Sequence, residues 1–441
     1  MGTAAVVGAG SSGLVAARHL RDAGFAVTVY ERDEDLGGNW NYGRPSARVY
    51  ASTHTISSKP GTEYPDYPMP AELPDYPHHS QILRYLRDYA EHFDLLPLIR
   101  FGVAVERIDP LADGRHDTAW RVRAGQAVTD HDVVVIANGH NWDPKYPEYP
   151  GTYTGELLHS AEYRTPDVFD GRRVLVVGGG NTGCDIVVEA ALRAAHAWHS
   201  TRRGYWYMPK YMLGKPTDQV GDALLRLKAP LWLRRRTATL MHRILVGPPF
   251  RTGLPRPDHR LLETHPIVNS LLPYYVRHGA ITPKPDVERF EARSVFFRDG
   301  TSLEVDVVVF ATGYNITFPF IDHRHLNWQD GRPRLHLNVF HPGYDTLFVA
   351  GLIQPDSGQF GLVHWQMLAA ARYAAARRAG HPAAASLATA KATPLTELGG
   401  GVKYKESTRH YLEVEHWSYR RRLQRLAASL PATAHTRQPQ T

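Results

Sequence analysis

Two stretches of the chain share one order of apolar and polar positions. "TAAVVGAGSSGLVAARHLRDAGFAVTVYER" begins with an apolar run, turns through glycine, places apolar residues at helical spacing and ends in a second apolar run. "RRVLVVGGGNTGCDIVVEAALRAAHAWHSTRR", from residue 172, repeats that order. Short apolar runs joined by an amphipathic helix predict a β-α-β unit in each place. Each unit is followed later by a strand ending in a related phrase, "HDVVVIANGH" at 131–140 and "VDVVVFATGY" at 305–314. This alternation predicts an α/β fold with parallel sheets: two Rossmann-like dinucleotide-binding domains, the second inserted in the first.

Between unit and phrase, residues 99–130 and 280–304 read as short strands with turn signals. Residues 205–275 break the pattern with Pro, Trp and an Arg/Leu-rich segment and read as a largely helical insertion. Within it, "DALLRLKAPLWLRRRTATLMHRIL" (222–245) is amphipathic and basic. That suits a cap on the second domain, a subunit contact as in a homodimer, or a membrane surface, with the cap the simplest. Residues 60–77, "PGTEYPDYPMPAELPDYP", are too rich in proline for a helix or a central strand, and their tyrosines predict a packed cover over a cavity. The stretch "YTGELLHSAEYR" (153–164) spaces Gly155, His159 and Tyr163 four apart. A helix would put them on one face, but glycine disfavours one.

A length of 441 residues suits more than one domain, and 43% hydrophobic with 22% charged residues is ordinary for a soluble protein. The net charge of +7 comes without a long basic tract, which speaks against nucleic acid as a partner. The single cysteine, Cys184, excludes an intramolecular disulfide and a redox cysteine pair, and reads as a small buried hydrophobe. "MGTAAVVGAG" has neither a basic n-region nor a cleavage site, and no apolar run is long enough to span a bilayer. The expectation is a cytoplasmic protein with no integral membrane segment and no metal site.

The glycine loops carry the chemistry. Gly8-x-Gly10-x-x-Gly13 lies between a strand and a helix: Gly8 permits the tight turn, Gly10 admits a pyrophosphate, and Gly13 lets helix and strand pack closely. The helix start offers N–H donors and a positive dipole end to phosphates, with Ser11 and Ser12 in the loop. Glu31 ends the second strand, where a carboxylate accepts ribose hydroxyls, and Arg32 follows it. "GGGNTG" repeats the spacing at Gly178, Gly180 and Gly183, with Asn181, Thr182 and Asp185 in the loop and first helical turn. Its second strand ends in "HSTRRG", without an acid. Ser200, Thr201, Arg202 and Arg203 suit a 2′-phosphate there, which predicts NADPH rather than NADH. Two dinucleotide sites in one chain suggest electron transfer, with FAD in the first and NADPH in the second. The expected division is 1–165 with 285–441 for FAD and 166–284 for NADPH.

At this point the sequence resembles the flavin-containing monooxygenases, single-component class B flavoenzymes, along essentially the whole chain. The resemblance rests on both loops, on Glu31, on "LGGNW" ending in Trp40, on "ATGY" at Ala311–Tyr314, and on Gly155, His159 and Tyr163 of the family signature, with Tyr153 in place of a phenylalanine. It implies that Gly38, Asn39, Trp40, Val105 and Gln354 adjoin FAD, and that Gly155, His159 and Tyr163 form the hinge between the domains, His159 as a hydrogen-bonded anchor. "VYASTHTISSK" (49–59) resembles the stretch in which a Thr-Asn pair meets nicotinamide and flavin, but here Ile56 follows Thr55. His54 is not expected to compensate, because adjacent side chains in an extended segment face opposite ways.

The resemblance further implies a small-molecule substrate and O₂ as partners, with one oxygen atom passing through a C4a-(hydro)peroxyflavin to nitrogen or sulfur. Baeyer–Villiger oxygenation, an uncoupled NADPH oxidase or reductase, and a flavoprotein kept for binding are the rivals. Thr55, Ile56 and Tyr207 are the candidate catalytic residues. "YWYMPKY" (205–211), which holds Tyr207, and Trp365 read equally as a substrate wall or as aromatic core.

Overall fold

The computed structural model describes residues 1–220, 231–261, 263–264, 267–395, 397–402 and 411–432. The strands Val133–Ile136 (VVVI) and Val307–Phe310 (VVVF) are buried at every position. Continuous burial of this kind belongs to parallel strands covered on both faces, at about 1.5–3 kcal/mol for each large aliphatic side chain. Each strand lies beside the one that leads into a glycine loop. The first sheet runs Leu347–Val349, Val133–Ile136, Gly2–Val7, Phe25–Tyr30, Ile99–Arg100, parallel throughout. The second runs Glu156–His159, Val307–Phe310, Arg173–Val177, His196–Ser200, Ile281–Lys284, also parallel throughout. Gly2–Val7 and Arg173–Val177 thus hold the central place in each sheet, and the two loops leave their sheets at equivalent points.

Between unit and phrase each half carries an antiparallel sheet, Val105–Pro110 with Trp120–Ala124 and Ala127–His131, then Val287–Ala292 with Ser294–Phe297 and Ser302–Glu304. The helix Ser11–Asp22 packs on Phe360–Arg378, whose Ala369, Ala370, Ala371 and Ala374 allow close approach. No helix among the described residues is long and apolar enough to cross a membrane.

Three expectations meet a different structure. Glu156–His159 and Val307–Phe310 lie outside 166–284, yet they hydrogen-bond into the second sheet. The second unit is therefore wider than a boundary drawn at its glycine loop, because strands join by pairing and not by proximity in the chain. The same pairing makes "ELLH" of 153–164 a strand, in keeping with the glycine that argued against a helix. In the insertion, 205–216 is extended and not helical: Tyr207–Met208 pairs with Ile267–Val268, and Tyr211–Met212 forms a hairpin with Lys215–Pro216 across Gly214 (φ +74°). Pro209 and Pro216 exclude a helix there. Helix Leu231–Leu245 does follow; one side brings His242 Nε2 to donate to the Tyr207 carbonyl at 3.0 Å, while Trp232, Leu240 and Ile244 face solvent. Residues 222–230 of the basic segment lie outside the described residues. Finally, Lys59–Thr62 at the head of the proline-rich loop is one helical turn, with Pro60 near its start where a missing N–H costs little.

Candidate active site

The first loop is shaped by what its glycines touch. Gly8 has φ +104° and donates its N–H to the Tyr30 carbonyl at 2.8 Å; a side chain there would meet the Ala137 carbonyl at 2.7 Å. A Cβ on Gly13 would stand 1.8 Å from the Gly8 carbonyl oxygen. Gly10 differs: its φ of −75° suits any residue, and the nearest atom to an added Cβ is Gly38 Cα at 3.8 Å. Its glycine leaves a cradle open over the start of helix Ser11–Asp22, which no side chain caps. Uncapped N–H groups beneath an open cradle fit a pyrophosphate.

Glu31 braces this loop. Its carboxylate accepts the Ala9 N–H at 2.7 Å and the Asp33 N–H at 3.0 Å, and burial pushes its pKa up against those hydrogen bonds. Gly37 N–H donates to the Ala9 carbonyl and brings Gly38, Asn39 and Trp40 alongside. Asn39 donates to the Asn141 carbonyl at 3.3 Å, the Arg32 guanidinium lies 5.4 Å from the Trp142 ring, and Trp40 meets Phe360 edge-on. Tyr64 of the proline-rich loop donates to the Ser11 carbonyl at 2.6 Å, so the tyrosine cover closes on the glycine loop. The Ser12 hydroxyl fills the space beside Gly351. Gln354 pairs with Glu413, and half-buried Val105 packs on the core near Ile108. Thr55 Oγ1 and Trp142 Nε1 are among the buried polar atoms that have no hydrogen-bond partner among the described residues, and each is free to meet a ligand.

The second loop repeats the first. Gly178 (φ +129°) donates to the Ser200 carbonyl, and added Cβ atoms on Gly178 and Gly183 would meet the Ala311 and Gly178 carbonyl oxygens at 2.2 and 2.1 Å. His199, buried and held near pKa 4 by desolvation, donates Nε2–H to the Gly178 carbonyl at 2.9 Å and fixes the turn. Gly180 precedes helix Asn181–Arg193, again with no side-chain cap; Thr182 is in its first turn, and Asn181 accepts the Val268 N–H at 2.7 Å. Past the second strand, Arg202 is exposed and makes no ion pair with a described residue, while Arg203 lies 5.5 Å from the Tyr205 ring. Two expected ligands are committed elsewhere. Ser200 turns its hydroxyl to the Pro285 carbonyl at 2.6 Å because strand alternation points it inward, and Thr201 is buried. The Asp185 carboxylate is taken by Tyr50 at 2.8 Å and Asn269 at 2.7 Å.

In the segment expected to form the hinge, an added Cβ on Gly155 would strike the Tyr153 ring, whose hydroxyl donates to the Val305 carbonyl at 3.0 Å. The glycine is the seat for that tyrosine. His159 is fully buried, accepts the Ala161 N–H on Nδ1 at 3.0 Å, and is pulled down to about pKa 4 chiefly by desolvation. His159→Asn should therefore slow flavin reduction by no more than about tenfold and introduce no new pH dependence, one hydrogen bond being worth about 0.5–1.5 kcal/mol. Loss of oxygen transfer with reduction intact, seen in rapid-mixing traces, would contradict the anchor role.

Thr55 is 4% exposed and Ile56 36%, and His54 is exposed as well. What withholds His54 is its own bonding, Nδ1–H to the Ser52 carbonyl at 2.8 Å and ring contact with His78. Tyr207 sits in the core with Tyr205 and Leu254, and Trp365 is partly buried against the first core. Residue-level reading missed Asp218, which accepts both the N–H and the hydroxyl of Ser58 at 2.8 Å, and Lys210, whose ammonium lies 5.0 Å from the Tyr76 ring. It also missed Tyr50 and Asn269. Nothing local marks these residues; His199 alone shows a signal, as a histidine at an inward position of a strand.

Residues 2–381 match the family model described as flavin-binding monooxygenase-like. Similar proteins include dimethylaniline monooxygenase (N-oxide-forming) 2 of Rattus norvegicus, 35% identical over 82% of this chain and 71% of that protein. Flavin-containing monooxygenase 5 of Mus musculus is 34% identical over 80% of this chain and 69% of its own. Among solved structures, an open form of cyclohexanone monooxygenase superposes with TM-score 0.71 at 20% identity, covering 97% of this chain and 98% of that one. S-allyl-L-cysteine S-oxygenase from Allium sativum gives 0.66 at 21%, covering 97% and 88%. At that identity the likeness is one of fold, two Rossmann-like units.

Proposed function

Because the chain belongs to the flavin-binding monooxygenase-like family, we propose that it is an FAD- and NADPH-dependent monooxygenase that places one atom of O₂ on a soft nitrogen or sulfur of a small organic substrate. The other atom leaves as water, with NADPH supplying the two electrons. The observation that carries the reading is the pair of loops with the same backbone chemistry and different ends, Glu31 closing the first and Arg202 with Arg203 the second. The 35% relative named for N-oxide formation supports nitrogen as an acceptor.

FAD, when bound, supplies the activation of O₂. The chain's own residues do the rest. Gly10 and the first turn of helix Ser11–Asp22 receive the pyrophosphate, and Glu31 has lone pairs left for ribose hydroxyls. Gly180 and Arg202 do the corresponding work for NADPH. Thr55 offers a buried hydroxyl to the reacting rings, and the cover around Tyr64 excludes water. No side chain need carry a proton in bond cleavage, which agrees with a site rich in backbone donors.

The test is product analysis with a tertiary amine, a thioether and a ketone under ¹⁸O₂, alongside NADPH consumption. Labelled N-oxide or sulfoxide is expected. A labelled ester or lactone from the ketone alone would assign Baeyer–Villiger chemistry, and peroxide alone with all three would make the protein an oxidase. Ile56 bears on that last outcome, since isoleucine cannot give the hydrogen bond of the family asparagine. Ile56→Asn should lower peroxide released per NADPH oxidised by several-fold at most, one neutral hydrogen bond being worth about 0.5–1.5 kcal/mol. A rise in peroxide would show that the apolar side chain was keeping water out.

A further inference from the structure

Helix Asn181–Arg193 begins at the second glycine loop and carries two carboxylates one turn apart, Asp185 and Glu189. Neither faces the loop. Asp185 accepts the Tyr50 hydroxyl at 2.8 Å on one oxygen and the Asn269 amide at 2.7 Å on the other. Glu189 accepts the Ser52 hydroxyl on one oxygen and the Tyr163 hydroxyl on the other. The tyrosine rings lie 5.5 Å apart, Tyr163 stacks on Phe169, and Ala51 N–H donates to the Arg164 carbonyl at 2.8 Å. Segment 50–52 is thus fastened at three points to the second unit and its hinge.

From that segment the chain reaches Thr55 within three residues, through backbone bonds of its own. Tyr50 N–H donates to Thr53 Oγ1, Thr53 N–H to the Tyr50 carbonyl, His79 N–H to the Thr53 carbonyl and Thr55 N–H to the Pro77 carbonyl. A rigid turn joins the fastening to the buried, unpartnered Thr55 hydroxyl. The other end of the fastening is anchored as firmly: Asn269 Oδ1 accepts the N–H groups of Leu271 and Leu272, and Asn269 N–H donates to the Met208 carbonyl.

We propose that Asp185 and Glu189 are positioning residues: by holding Tyr50 and Ser52 they set where the Thr55 segment stands relative to the NADPH-binding helix. They thereby govern how efficiently hydride crosses from nicotinamide to flavin, without contributing to NADPH affinity. Two carboxylates on one helix face, each bonded twice to groups at least 26 residues away in sequence, are more than a surface needs. Each carboxylate has both oxygens engaged by groups of the protein itself. Burial pushes the Asp185 carboxyl up, against the hydrogen bond from the Tyr50 hydroxyl and the nearby Lys210 ammonium. This rests on the NADPH-and-flavin reading given above.

The test uses the FAD-loaded protein and Tyr50→Phe, which removes the hydroxyl from Asp185 and keeps the ring against Tyr163. Expected are unchanged FAD content and NADP⁺ affinity by titration calorimetry, and a fall in flavin reduction at saturating NADPH of at least about tenfold, since a misplacement of 1 Å can cost on the order of a hundredfold. Independently of activity, NADP⁺ should raise amide protection over 50–57 by hydrogen exchange in the wild type and not in Tyr50→Phe. Should Tyr50→Phe lose FAD, Ser52→Ala, at the exposed end of the fastening, is expected to give the same split. Unchanged reduction, or a loss that disappears at saturating NADPH, overturns the positioning role. If the wild type itself shows no NADPH-driven reduction, it is the functional reading that fails.

Discussion

Gly10→Ala should give a folded protein that binds FAD more weakly. The backbone at Gly10 has φ −75° and the nearest atom to the new methyl is 3.8 Å away, so nothing in the protein resists alanine. The methyl instead occupies the cradle above the uncapped helix start. Intruding on a close-packed contact costs about 1–3 kcal/mol, and FAD affinity should drop by roughly 5- to 150-fold. Melting of the apo protein should match the wild type. Gly13→Ala is the contrast: a Cβ 1.8 Å from the Gly8 carbonyl forces helix from strand, so stability should fall with or without FAD. Calorimetry on apo protein and flavin absorbance after purification separate the two. An FAD affinity of Gly10→Ala equal to that of the wild type would remove the first loop from the flavin site.

Arg202→Ala should weaken NADPH by roughly 10- to 100-fold, the loss of one charge-assisted contact worth about 1.5–3 kcal/mol. NADH kinetics should barely change. The structure strengthens this beyond the sequence expectation, because Ser200 and Thr201 are turned inward or buried and Arg202 is exposed without an ion pair among the described residues. Its guanidinium gives up no partner to take a phosphate. A parallel loss for both nucleotides, measured as kcat/KM, would show that Arg202 does not read the 2′-phosphate.

The legible part of the site is the part whose physics is local. A turn that needs positive φ at Gly8 and Gly178, and a helix that lies against its strand only over Gly13 and Gly183, require glycine at those positions. Buried parallel strands require unbroken apolar runs, so "VVVI" and "VVVF" were readable as the partners of the loop strands. The insertion was less legible: its arginine and leucine content suggested helix, while Pro209, Pro216 and pairing with residues 267–268 made its first part extended.

By itself, then, the sequence determined two dinucleotide loops, the sign of charge at the end of each, and the repeat that places them alike. These follow from backbone sterics and from periodicity, which act over a few residues. The tertiary structure alone decided which side chains are free to act. Asp185, placed by sequence among NADPH ligands, meets Tyr50 and Asn269, more than a hundred and more than eighty positions away in the chain. Tyr64 comes down on Ser11, and His199 on Gly178. The hydroxyl of Ser200 turns into the sheet edge while Arg202 stays in solvent. Such pairings depend on which strands become neighbours, and hydrogen bonding between distant strands leaves no trace in the spacing of nearby residues.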